Sequence, residues 1–75
     1  MEIYKNLNGN SGIKSYHFDH ESITVEFADG STYLYNYETN GKRAIKIMKG
    51  LAENGLGLTT YINQEVRELY AQKIK

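Results

Sequence analysis

The pattern of apolar and polar positions changes its period after Tyr37. Ile23, Val25 and Phe27 alternate with Thr24 and Glu26, the period-2 signature of a half-buried strand. Ile13 to Phe18 predicts a strand before it, with Tyr16 and Phe18 on one face. Ile13 falls out of their parity, which predicts a bulge or a late strand start. Ser31 to Tyr37 predicts a third strand around the run Tyr33-Leu34-Tyr35-Asn36-Tyr37. Asp19-His20-Glu21-Ser22 and Asp29-Gly30 supply the turns between them. Three short strands joined tightly predict an antiparallel meander.

Loop length decides which way the tyrosines face. A two-residue turn at Asp29-Gly30 sets Val25 opposite Leu34 and sends Tyr33 to the polar side with Glu26. A three-residue loop, Ala28-Asp29-Gly30, pairs Phe27 with Ser31, Val25 with Tyr33 and Ile23 with Tyr35. Both loops want the glycine. A small domain needs the apolar area of its aromatics, roughly 150–250 Å² each, so the three-residue loop is expected. Tyr33 and Tyr35 then face the core, and Tyr37, at the strand's exit, is left for a partner.

Beyond Tyr37 the spacing is helical. Thr39 or Asn40 is a candidate cap. Ile45, Met48, Leu51 and Ala52 make an apolar stripe, while Lys42, Arg43, Lys46 and Lys49 fall largely on another face. Gly50 inside this helix marks either a close approach to the sheet or a weak point. Asn54-Gly55 fits a helix end, with Leu56 folding back. After Gly55-Leu56-Gly57-Leu58, Thr59 or Thr60 caps a second predicted helix of about four turns. Its stripe is Ile62, Val66, Leu69, Tyr70 and Ile74, and Gln64, Arg67, Glu68, Ala71 and Gln72 face mainly water. The predicted fold class is α+β, a three-stranded meander followed by two helices packed on one face (β-β-β-α-α).

Residues 1–12 read as a polar N-terminal segment, broken by Asn6, Asn8, Gly9, Asn10, Ser11 and Gly12. Ile3 and Tyr4 offer at most a short edge pairing. Residues 13–75 read as a single domain, and 75 residues leave little room for more. A core of this size is near the lower limit for folding alone, and with no cysteine there is no disulfide or thiolate metal site to help. No apolar run approaches a membrane span and the start lacks the apolar core of a signal peptide, so a cytosolic protein is expected.

Net charge is zero but uneven. Six acids and two bases precede Thr39, and three acids and seven bases follow from it, about −4 against about +4. Either the halves attract on folding or the basic part meets a partner. Little else carries chemistry. His17, Asp19 and His20 are metal-ligand types, but at a hairpin they read as surface polar residues, and no metal or cofactor is expected. The serines lack a nucleophile-elbow context. Gly55-Leu56-Gly57 lacks the third glycine of a dinucleotide fingerprint and the lysine of a P-loop. No catalytic residue is assigned.

The ordered set Ile13, Tyr16-His17-Phe18-Asp19, Ile23 to Phe27, Gly30, Tyr33-Leu34-Tyr35, Gly57-Leu58, Tyr61-Ile62-Asn63, Val66 and Tyr70 resembles the KTSC domain. This is a short bacterial domain named for the C-terminus of some lysyl-tRNA synthetases. The resemblance covers about residues 11–74, and its hallmark is the central Tyr-x-Tyr. Asn36-Tyr37-Glu38 departs from the Gly-Val-Pro-like turn of many relatives. The resemblance implies no established activity. It makes Phe27, Gly30, Tyr33, Tyr35, Tyr61 and Asn63 the structural motif, and fusion to synthetases implies an RNA-binding role. Two readings follow. One is a non-catalytic module that binds RNA with Lys42, Arg43, Lys46, Lys49 and Tyr37. The other is a protein-interaction or self-assembly module using the sheet edge or sheet face.

Overall fold

Gly30 adopts φ +92°, the left-handed conformation that the three-residue loop demands. Its N–H donates to the Phe27 carbonyl (2.9 Å), and the Phe27 N–H donates to the Ser31 carbonyl (2.8 Å). The Asp29 carboxylate braces the turn by accepting from the Ser31 N–H and hydroxyl. Val25 therefore pairs with Tyr33 and Ile23 with Tyr35, as the core's need for apolar area required.

The computed structural model describes residues 1–7, 12–66 and 68–75. The sheet is antiparallel and runs β1 (Glu2–Ile3), β2 (Ile13–Phe18), β3 (Ser22–Phe27), β4 (Thr32–Asn36) and β5 (Gln72–Lys73), in that spatial order. The predicted meander is its middle. The register between β2 and β3 slips between Ile13 and Ser15, which is the bulge that Ile13's parity required. On the other side of β4's exit lie α1 (Tyr37–Asn40), α2 (Lys42–Asn54) and α3 (Leu58–Tyr61), the last continuing into a wide π-type turn over Ile62–Val66.

Ile45, Met48 and Ala52 of α2 are buried, as are Leu58, Ile62 and Val66. They cover the sheet face that carries Tyr16, Ile23, Val25 and Tyr35, and together these form one core. Tyr35 is 1% exposed. Phe27, Tyr33, Tyr37, Tyr61 and Tyr70 are half-buried around it, whereas Asn63 is exposed.

Four expectations need correcting. First, residues 1–12 do not all lie outside the core. Ile3 makes the short edge pairing offered to it, with Ser15, but Tyr4 is buried, and its hydroxyl accepts from the Leu58 N–H, the first free amide of α3, at 3.4 Å. Asn8, Gly9, Asn10, Ser11 and Arg67 lie outside the described residues.

Second, the helix caps differ. Asn36 caps α1 by accepting from the Thr39 N–H, and α2 starts after Gly41 with no side-chain cap. Asn40 instead accepts from the Asn36 N–H and donates to the Leu69 carbonyl. Neither Thr59 nor Thr60 caps α3, which begins at Leu58 behind Gly57.

Third, the second helix is not four turns long. It ends at the π-type turn, and the chain then returns to the sheet as β5. Leu69 and Ile74 are exposed rather than part of an apolar stripe. Ala71, Gln72 and Ile74 have the backbone partners of an edge strand, on Leu34 and Thr32.

Fourth, Gly50 is not a close-approach glycine. A methyl group there would meet nothing within 4 Å. The tight glycine is Gly55, which ends α2 at φ +73° and on which Lys5 packs so closely that a Cβ would lie 2.5 Å from the lysine's own.

Gly50→Ala should therefore stabilise the fold by about 0.5–1 kcal/mol in chemical denaturation, because it removes a helix-interior glycine without a clash. Burial pushes the Tyr35 hydroxyl up to about 12, with Tyr33 and Tyr70 adding to the effect. The unfolded phenol ionises near 10. The stability that Tyr35 contributes is thus complete below about pH 10 and is lost as pH rises from about 10 to about 12, in all about 3 kcal/mol. Tyr35→Phe should flatten stability over that range and remove the latest step of the tyrosinate absorbance titration.

Candidate interaction surfaces

The basic residues of α2 do not act as one group. Lys42, Arg43 and Lys46 are exposed, and among the described residues none of their side chains has an ion-pair or hydrogen-bond partner. Lys49 turns back to the sheet. Its ammonium donates to the carbonyls of Asp19 and His20 at the β2–β3 turn and lies 5.3 Å from the Phe18 ring centroid and 5.8 Å from that of Tyr37. Tyr37 is half-buried, with the His20 ring at 6.3 Å. Neither Lys49 nor Tyr37 is therefore free for a partner in the way the sequence suggested. Helical spacing places Lys49 near the stripe of its neighbours, and only the position of the β2–β3 turn reveals its different job.

The His17, Asp19, His20 triplet comes apart in the same way. His17 lies on the outer sheet face opposite Thr24. The Asp19 carboxylate accepts from the Ser22 hydroxyl (2.8 Å) and the Glu21 N–H (3.0 Å). The Ser22 hydroxyl, then the Glu21 N–H, hold it below the usual carboxylate range. These are turn contacts. Among the described residues no group of three His, Cys, Asp or Glu is placed to hold a metal ion.

The outer face of the sheet escaped the sequence reading. Strand register lays Ile3, Ser15, Glu26 and Thr32 in one row, which Ile74 extends by donating its N–H to the Thr32 carbonyl (2.8 Å). His17, Thr24, Leu34 and Gln72 form the next row. The Ser15 hydroxyl donates to Glu26 Oε1 at 2.6 Å and also faces Met1 Sδ. The middle of this face is polar and internally satisfied. Its two margins are apolar, with Met1 60%, Ile3 73% and Ile74 50% exposed. The helices lie against the opposite face. No signal for this arrangement exists in local periodicity, because it depends on where β1 and β5 pair.

An open depression of about 430 Å³ lies at the β3–β4 hairpin, lined by Gly12, Phe27, Ala28, Asp29, Ser31 and Tyr33. Phe27 meets Tyr33 edge-on with ring centroids 5.8 Å apart, and Tyr70 covers Tyr33 at 4.7 Å. Asp29, the one carboxylate among the described lining residues, is committed to Ser31. Among the described residues no helix is long and apolar enough to cross a membrane.

Comparison with family models, with curated proteins and with solved structures gave no match for this chain.

Lys49→Met should keep the stem but lose the ammonium that joins α2 to the β2–β3 turn, lowering stability by about 1 kcal/mol in denaturant titration. Lys42→Met and Lys46→Met should each stay within about 0.5 kcal/mol of the parent.

Proposed function

We propose that the chain is a non-catalytic assembly module that sets the outer face of its sheet against another protein surface, a second copy in the first instance. The observation behind this reading is the sheet face bearing exposed Met1, Ile3 and Ile74 at its margins, with the described helices packed on the other side. Exposed apolar side chains grouped on one face and rimming a polar centre are the pattern of a contact surface. With about 3.3 Å of rise and about 4.8 Å of spacing per strand residue, and with β1 and β5 two residues each, the face covers about 330 Å² per copy. That is below the size of a stable interface and fits only weak, concentration-dependent association.

In sedimentation velocity from about 10 µM to about 1 mM, the apparent mass should climb above 8.6 kDa with concentration. Ile3→Lys should suppress the rise without loss of fold. A parent chain that stays at 8.6 kDa throughout would sink the assembly reading.

A second reading rests on the three exposed, unpartnered cations Lys42, Arg43 and Lys46. They suit a phosphate backbone, and the KTSC-like Tyr33-Leu34-Tyr35 pattern points the same way through that domain's synthetase fusions. Against it, Tyr33 and Tyr35 face the core and offer no base-stacking platform on the sheet. Three phosphate contacts to single-stranded RNA predict a log–log salt slope of about −2. Lys42→Glu with Lys46→Glu should abolish that binding, and absence of salt-sensitive binding in the parent removes the reading.

A further inference from the structure

We propose that the outer edge of β4 is a strand-docking site, filled in cis by the chain's own C-terminal strand and in trans by the C-terminal strand of a second copy. This deepens the assembly reading by naming a contact for it. Val66 is the last buried residue among the described residues. Beyond it, residues 71–75 are all exposed. They are held chiefly by main-chain bonds to β4: Ala71 N–H to the Leu34 carbonyl at 2.7 Å, Ile74 N–H to the Thr32 carbonyl at 2.8 Å, and Thr32 N–H to the Lys75 carbonyl at 3.2 Å. Side-chain anchors are few. Tyr70 rests on Tyr33, the Lys73 ammonium lies 5.7 Å from the Tyr33 ring centroid, and Asn40 reaches the Leu69 carbonyl.

What this strand covers is the segment of the chain most apt to pair. Ser31 to Tyr37 contains no charge, no glycine and no proline, and is rich in β-formers. An edge of that composition left bare would recruit any strand available. β5 guards it, yet little apolar burial holds the guard in place. A second copy's C-terminal strand brings the same donors and acceptors, so exchange needs no new complementarity. A short linker gives the cis strand an effective concentration of the order of millimolar, so exchange competes when the protein approaches that concentration.

The absence of cysteine makes the test direct. Leu34 and Gln72 are cross-strand partners, and opposed strand positions about 4.5–5.5 Å apart admit a disulfide. The double variant Leu34→Cys with Gln72→Cys, oxidised when dilute, should close on itself as a monomer; failure to do so while the chain is folded by circular dichroism overturns the cis half of the proposal. Next, folded Leu34→Cys chains are mixed with folded Gln72→Cys chains near millimolar concentration and oxidised. The mixed disulfide should exceed either like-with-like disulfide by about tenfold on a non-reducing gel, whereas a statistical yield overturns exchange. If the parent assembles by sedimentation but the mixed disulfide stays statistical, exchange alone fails and the sheet-face reading stands. If the parent is monomeric at every concentration, both fail.

Discussion

One glycine conformation governs how this molecule distributes its aromatics. With Gly30 in the left-handed region, the β3–β4 hairpin closes over three residues, and the pairs Val25–Tyr33 and Ile23–Tyr35 follow. Shortening that loop by one residue would turn Tyr33 and Tyr35 to the other face and put Leu34 in their place. The core would then lose Tyr35, one of its largest fully buried side chains. A chain of 75 residues has no disulfide and little spare apolar area to absorb such a loss. Hence the Tyr-x-Tyr pattern serves the interior.

The exterior has two unlike faces because the sheet is covered on one side. α2 presents Lys42, Arg43 and Lys46 to solvent, while the sheet face away from the helices holds buried Ser15 and Thr32 inside an exposed apolar margin. The charge imbalance along the chain thus becomes an imbalance in space. In part the halves do attract, since Lys49 and Lys73 from the second half act on the Asp19 and Asp29 carboxylates of the first, while the side chains of Lys42, Arg43 and Lys46 face solvent.

Legibility in the sequence followed the range of the interaction that decides each element. The hairpin, the bulge after Ile13 and the Gly55 helix end are set by contacts within a few residues, and period and turn chemistry reveal them. The buried stripe Ile45, Met48 and Ala52 is likewise local. β1 and β5 are two residues each, too short for any period, and exist only because β2 and β4 offer edges. The stretch after Val66 keeps a helical pattern of apolar residues, yet main-chain bonding to Leu34 and Thr32 overrides it. Lys49 illustrates the same limit at a single side chain: its partners lie 29 and 30 positions away.

The fifth strand also has a place in time. On synthesis β4 is complete at Asn36, but Gln72, its cover, comes 36 residues later. At about 5–20 residues per second, the strand that covers the uncharged edge of β4 is synthesised about 2–7 s after it. The order of synthesis therefore makes the edge that most needs a partner wait for the strand that supplies one.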